Sequence, residues 1–172
     1  MKPPPLKVAV QDANVLIDME LAGLFGPWFQ TGIEMHTTDL IRAELAAGGH
    51  KQAVGFIKTG HVCEHGLSFE DLLAVAALEM EVGSKAKFND CSVLFLAMKL
   101  GAILLSGDKP LRKACAERRL EVRGTLWIFD ELVEHGLISA KEAVKKLKHL
   151  RKQDRFLPED ECLSRIKKWE EH

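Results

Sequence analysis

Two carboxylates frame one stretch of the chain, NDCSVLFLAMKLGAILLSGDK, with Asp90 near its start and Asp108 near its end. Between them an apolar helical run leads into a short apolar strand-like run, so the second acid returns to the edge where the first began. Asp12 follows another apolar run, Val8-Ala9-Val10. Glu44 falls three and four positions after Ile41 and Leu40 on an early helical segment, a spacing that puts it on their face. Four carboxylates could thus meet in one pocket. Like charges a few ångströms apart raise one another's pKa, and a divalent cation removes that conflict. Hard oxygen donors suit Mg²⁺ better than Zn²⁺. Such an ion lowers the pKa of a bound water and assists in-line attack on a phosphodiester. Each acid also has a plainer explanation, as a turn residue, a helix cap or a solvated side chain.

Positioning these acids requires strands that alternate with helices. Leu6 to Val10 reads as a buried strand. Asn14 to Phe29 reads as helix, broken near Gly23 or near Gly26-Pro27. A strand over Glu34 to Thr37 leads into a helix capped by Thr37 or Thr38 and running to Ala47, where Gly48-Gly49 stops it. A helix from Lys51 to Lys58 and a strand from His61 to Glu64 follow. Ser68 caps an amphipathic helix carrying Leu72, Leu73, Val75, Ala76 and Leu78 mostly on one side. After a turn at Gly83 to Lys87 come a helix from Asp90 to Leu100 stopped by Gly101, a strand from Ala102 to Leu105, and a helix from Lys109 to Arg118. Leu120 to Val122 reads as the last strand, and helices cover Leu126 to His135, Ser139 to Lys152 and Pro158 to Trp169. This alternation predicts an α/β fold whose parallel sheet is covered on both faces. Ligands bind outside the carboxyl ends of such strands, which is where Asp12 and Asp108 fall.

The bulk properties narrow the class. The 172 residues are 47% hydrophobic and 28% charged, ordinary for a globular chain able to bury a core. No apolar run is long enough to span a bilayer, and the start MKPPPLKVAV is too short in apolar residues and too proline-rich for a signal peptide. Cys63, Cys91, Cys115 and Cys162 are widely spaced, as expected of free thiols. A cytoplasmic protein with no membrane association is expected. The net charge of −1 rules out a uniformly basic nucleic-acid binder, but residues 141–155 hold five Lys and two Arg against two acids.

With these residues in place, the chain resembles the PIN-domain nucleases. The resemblance spans roughly Val8 to Gly136 and rests on VQDANVLID with Asp12 and Asn14, on TTDLIRAEL with Glu44, and on FNDCSVLFLAMKLGAILLSGDKPL with Asp90 and Asp108. GTLWIFDELVEHGLIS is similar to the C-terminal part of a prokaryotic subgroup. The resemblance implies a three-layer α/β/α sandwich with a central, mainly parallel sheet, formed by residues 1–138, with residues 139–172 as helices packed on the same domain. It implies Mg²⁺- or Mn²⁺-dependent hydrolysis of RNA, with Asp12, Glu44 and Asp90 as metal ligands and Asp108 completing the set directly or through water. Asn14, Ser106, Lys109 and Arg112 would contact substrate. Many small prokaryotic members resemble toxins that form homodimers and are silenced by an antitoxin protein. Two features depart from those toxins: the segment beyond about Ser139 is extra, and Ser106-Gly107 stands where a Thr-rich turn is usual.

Other residues compete for attention. His61, Cys63 and His65 alternate along a strand and would share one face, but with no fourth ligand in view a solvated strand edge is expected. Asp18 could line the acidic pocket, while Asp39 reads as a charge favoured by the helix dipole. Lys145 to Lys152 could meet an RNA backbone, although a solvated amphipathic helix with the Val144, Leu147, Leu150 and Arg151 stems toward the body is the simpler reading. Cys91 and the three Trp read as packing residues. A catalytically silent PIN-like binding or dimerisation module is the second functional reading. A phosphatase-type fold with Asp12 as nucleophile is disfavoured, because the acid expected two residues later is Asn14.

Overall fold

A computed structural model describes residues 7–83 and 85–172. Leu6, expected in the first strand, and Ser84, expected in a turn, lie outside the described residues. The strands are β1 (Val8–Gln11), β2 (Glu34–Thr38), β3 (Val62–His65), β4 (Ile103–Leu105) and β5 (Val122–Arg123). They form one sheet in the order β3-β2-β1-β4-β5, and every pairing is parallel. The first strand is therefore central. Its neighbour β4 is in register so that Gln11 lies opposite Leu105, and Asp12 N donates to Leu105 O at 3.1 Å. The two strands thus end side by side, the condition under which Asp12 and the segment after Leu105 can meet.

The helices are α1 (Ala13–Ala22), α2 (Phe25–Phe29), α3 (Asp39–Ala47), α4 (Lys51–Lys58), α5 (Phe69–Val82), α6 (Phe88–Leu100), α7 (Lys109–Glu117), α8 (Thr125–Glu134), α9 (Ala140–Arg151) and α10 (Glu159–Glu170). Of the two candidate breaks in the first helical stretch, Gly23 is the one used. It takes φ 65°, its N–H turns back onto the last carbonyls of α1, and Pro27 is then accommodated inside the short α2. Gly101 ends α6 in the same way, with φ 60°. Thr38, not Thr37, caps α3, its hydroxyl accepting from Ile41 N. Thr37 instead donates to Gln11 O at 2.9 Å and ties β2 to the end of β1. Ser68 and Asp71 form a reciprocal capping box at the start of α5.

Helix α6 packs on β1, β2 and β4, with α5 and α7 beside it, while α1 packs with α3, α4, α8 and α9 to build the other layer. The three-layer α/β/α arrangement is the one expected. Large side chains such as Trp28, Phe25, Phe129, Leu16 and Leu94 are fully buried, each contributing about 1.5–3 kcal/mol through removal from water. Trp28 meets Trp127 edge to face, and Trp169 packs on Phe129. On α9, Val144, Leu147 and Leu150 face inward, while Lys146 Nζ donates to the Ala22 and Gly23 carbonyls at 3.1 and 3.3 Å. That places a cation at the negative end of α1.

Two expectations about helix faces need correction. Helix α6 begins at Phe88, two residues before Asp90, so Asp90 sits within the first turn rather than at its start. On α5 only Val75 and Leu78 are buried. Leu73 is 55% exposed and joins Phe69 and Met80 in an apolar stripe turned away from the body. Among the described residues no helix is long and apolar enough to cross a membrane.

Candidate active site

Asp12 and Asp108 lie at strand-to-helix junctions, Asp90 in the first turn of α6 and Glu44 within α3. Asp12 is the N-cap of α1, its Oδ1 accepting from Val15 N at 3.1 Å. Asp108 is the N-cap of α7, its Oδ2 accepting from Leu111 N at 3.0 Å. Asp90 reaches back to accept from Lys87 N at 3.3 Å. Glu44 is held by Asn89, whose Nδ2 donates to Oε2 at 3.0 Å. The caps serve two ends, since each fixes a helix start and also holds one carboxylate oxygen still.

Ser106 joins the two strand ends. Its hydroxyl donates to Asp12 Oδ2 and accepts from Asp108 N at 3.1 Å, and its own N–H donates to Arg123 O at 2.8 Å. Ser106 is fully buried. It aligns Asp12 with the turn that carries Asp108.

A second chain of hydroxyls fixes α3 against α6. Ser92 Oγ donates to Asn89 O at 2.6 Å, and Thr38 Oγ1 lies 2.9 Å from Ser92 Oγ. With Ser92 donating to the carbonyl, Thr38 donates to Ser92 while accepting from Ile41 N. Asn89 then carries this connection to Glu44. Glu44 itself is exposed, contrary to the expectation that it points toward the core. The buried face of α3 is formed by Ile41 and Leu45, which leaves Glu44 at the rim, reached from across the cleft by Asn89.

The electrostatics tie the acids together. Asp12 is 1% exposed. Burial, above all, pushes its carboxyl from 3.8 up to about 7, aided by the negative charges of Asp90 and Asp108 and opposed by the Ser106 hydroxyl and Val15 N–H. Asp90 is raised as well, first by burial and then by Asp108 and Glu44, against the Lys87 N–H and the Lys87 charge. Asp12 thus feels Asp90 and Asp108, and Asp90 feels Asp108 and Glu44. The donor set is all carboxylate oxygen, the chemistry that suits a hard divalent cation, and raised carboxyls are what such a cluster shows until positive charge is supplied.

The remaining candidates divide. Lys109 and Arg112 are exposed on the first turns of α7, directly after Asp108. Asn14, expected to contact substrate, is exposed, and its carbonyl and side-chain oxygens accept from Arg155 at 3.1 and 3.4 Å. Arg155 also donates to Asp18 Oδ1 at 2.5 Å, and Thr125 donates to the other oxygen at 2.6 Å. Asp18 is thus a buried ion-paired residue under α1 rather than part of the pocket lining. Burial raises its carboxyl, which the Thr125 and Arg155 contacts oppose. Cys91 is buried, and burial pushes its thiol up to about 11, which suits packing rather than nucleophilic chemistry.

Sequence reasoning missed Thr38, Asn89 and Ser92 as positioning residues, Lys87 as the cation beside Asp90, and Arg155 as the clamp on Asn14. Ser92 follows Asp90 by two residues in NDCS and was open to notice. Arg155 was not, because it acts across 141 positions of sequence.

No curated protein matches the chain. The DUF3368 family model, described as a PIN domain, matches residues 8–171 and so runs through α9 and α10 as well as the sheet. With Asp12 and Asp108 at the carboxyl ends of neighbouring strands of an all-parallel sheet, and a match over nearly the whole length, the chain belongs to the PIN-domain family, whose fold is nuclease-like.

Proposed function

We propose that this protein is a divalent-metal-dependent endoribonuclease that hydrolyses RNA phosphodiesters, with Asp12, Glu44, Asp90 and Asp108 as its acidic centre. The single observation that carries the reading is the protonation conflict at Asp12, a nearly inaccessible carboxyl that burial above all raises to about 7, with Asp90 and Asp108 adding to the rise. A cation held by these oxygens resolves that conflict, and Mg²⁺ or Mn²⁺ fits the donor set. When bound, the ion supplies Lewis-acid activation of water and neutralises charge on the phosphate.

The protein's own residues do the rest. Ser106 holds one oxygen of Asp12, Asn89 one oxygen of Glu44, and the Leu111 N–H one oxygen of Asp108. The acids are thereby oriented before substrate arrives, which lowers the reorganisation needed during reaction. Lys109 and Arg112 bind the phosphate backbone next to the centre, and Lys87 adds positive charge beside Asp90. Such contacts make binding fall as salt rises.

The test is cleavage of a labelled RNA with Mn²⁺ or Mg²⁺ by the parent chain and by Asp90→Asn. Cleavage is expected to fall by at least a hundredfold while the circular dichroism spectrum is retained. An Asp90→Asn chain that cuts as fast as the parent overturns the assignment. The resemblance to toxin-type members extends the proposal to a toxin silenced by an antitoxin partner, to be checked by native purification from cells that carry the neighbouring genes. Homodimerisation is part of the same proposal, and the exposed stripe Phe69, Leu73 and Met80 gives it a surface to bury. A silent PIN-like binding module is the second reading, and calorimetric titration with Mn²⁺ separates the two: a silent module takes up no ion at millimolar concentration.

A further inference from the structure

At the far edge of the sheet, β2 and β3 bring together three side chains that belong to no part of the acidic centre. His36 lies directly opposite Cys63, and His65 lies two residues on from Cys63, opposite Thr38. Because side chains alternate along a strand, all three project from the same face. Their ligand atoms lie within 4.8 Å of one another. His61, which alternates with Cys63 and His65 in sequence, is not part of the group. His61 precedes β3, bonds to Thr59 Oγ1 at 2.8 Å and packs on Phe29 and Phe56. The missing imidazole comes from the neighbouring strand, a relation that no local spacing displays.

We propose that His36, Cys63 and His65 form a binding site for a zinc-class transition-metal ion, separate from the acidic centre. The donor chemistry is the first argument. Two imidazoles and a thiolate prefer zinc and similar ions to Mg²⁺, so the two sites would sort their ions by softness. The second argument is the hydrogen bonding around the rings. His36 Nδ1 lies 2.8 Å from His65 Nε2, while His36 Nε2 lies 3.1 Å from Glu34 Oε2. Glu34 accepts the Nε2–H proton, which leaves the Nδ1 lone pair directed at His65. A carboxylate behind the distal nitrogen of a ligating histidine is the arrangement that fixes its tautomer and raises its basicity.

In the metal-free chain a proton on His65 Nε2 occupies the gap between the rings. The ion takes that position as neutral His65 changes tautomer, its Nε2 proton passing through solvent to Nδ1. The Cys63 thiol releases its proton to solvent. Tetrahedral coordination at about 2.0–2.1 Å puts the two nitrogens about 3.3 Å apart, so the rings need to separate by only about half an ångström. Three protein ligands leave a fourth position open for water, as in reactive rather than purely structural zinc sites. Cys63 is exposed, so an ion has access.

Cobalt(II) reports directly on such a site. Titration of the reduced, untagged chain is expected to give one equivalent of binding, a thiolate-to-cobalt charge-transfer band and visible bands of tetrahedral intensity, all displaced by Zn²⁺ and not by excess Mg²⁺. Cys63→Ser should remove the charge-transfer band. His36→Ala or His65→Ala should weaken binding at least tenfold, and Glu34→Gln by about tenfold. Asp12→Asn and Asp90→Asn should leave the spectrum unchanged, so the test is independent of whether the acids cleave RNA. A folded chain without the band, a band that survives Cys63→Ser, or one lost in Asp90→Asn overturns the proposal. Alkylation gives a reading without any variant. Cys91, Cys115 and Cys162 are buried, so the fast-reacting thiol is Cys63. Stoichiometric Zn²⁺ should slow its modification at least tenfold, and an unchanged rate refutes the site.

Discussion

Replacing Asp12 by Asn should stabilise the metal-free protein at alkaline pH while destroying its acidic centre. The free carboxyl titrates at 3.8, whereas the folded one is pushed up to about 7, mainly by burial. Between those values the folded chain binds a proton that the unfolded chain has lost. The contribution of Asp12 is therefore fully present below about pH 4 and is lost as pH rises through about 7. At about 1.4 kcal/mol per pH unit, the ionised group costs roughly 4 kcal/mol. The neutral amide escapes that cost. Its oxygen keeps the Val15 N–H, but its NH₂ faces Ser106, which can no longer donate, a loss of about 1 kcal/mol. Asp12→Asn should then gain about 3 kcal/mol at pH 8 and be level with, or about 1 kcal/mol below, the parent at pH 4.5. Removing a negative neighbour from Asp90, whose carboxyl is also raised, acts in the same direction at pH 8. Urea unfolding in EDTA at the two pH values measures the difference, and pH effects common to both chains cancel. Equal differences at the two pH values, or a less stable variant at pH 8, would refute the electrostatic reasoning. Adding Mn²⁺ at pH 8 should raise the stability of the parent and leave that of the variant unchanged.

Two further outcomes follow from the packing. Arg155→Ala strands Asp18, which is 5% exposed, without its ion partner. Thermal or urea unfolding should show a loss of about 3 kcal/mol, near the lower end for a broken buried pair because Asp18 can protonate. Adding Asp18→Asn should recover part of the loss, and a single-variant effect below about 1 kcal/mol would count against the clamp. Leu73→Glu, on the exposed stripe of α5, should leave monomer stability within about 0.5 kcal/mol but shift the mass measured by light scattering from dimer to monomer. A parent chain that is monomeric at all concentrations removes the dimer from the proposal.

Much of the architecture is legible in the sequence because apolar runs, caps and glycines are local signals. The helix Lys51–Lys58 has the bounds expected of it, and Gly101 and Ser68 mark their helix ends. The boundary at Asp90 differs because Asp90 serves as the reach-back acid of the first turn, a role that places it inside the helix it helps to start. Glu44 departs from expectation for a different reason. Periodicity identifies the face carrying Ile41 and Leu45, but a residue at the margin of that face is buried or exposed according to what packs opposite. Here the opposing group is Asn89, and it meets the carboxylate at the rim. What sequence could not supply were the long-range partners: Ser106 for Asp12, Arg155 for Asn14 and Asp18, and His36 for Cys63. Each depends on sheet order or on where the C-terminal segment folds back.

The sheet order also bears on the chain during synthesis. The central strand is the first to be made, yet one of its two flanks stays bare until β4 emerges. The oxygen of Asp12 waits for a serine 94 positions downstream. The helix that begins at Asp12 waits longer still for the guanidinium that clamps Asp18, 137 positions away. A nascent chain holding the first three acids therefore has no completed pocket, and its earliest strand offers an open edge while translation continues. Chains released early would present that edge to other polypeptides. A centre that needs Asp108 stays incomplete until that part of the polypeptide has left the ribosome, which in the proposed reading separates the moment of making the first acids from the moment they can act on RNA.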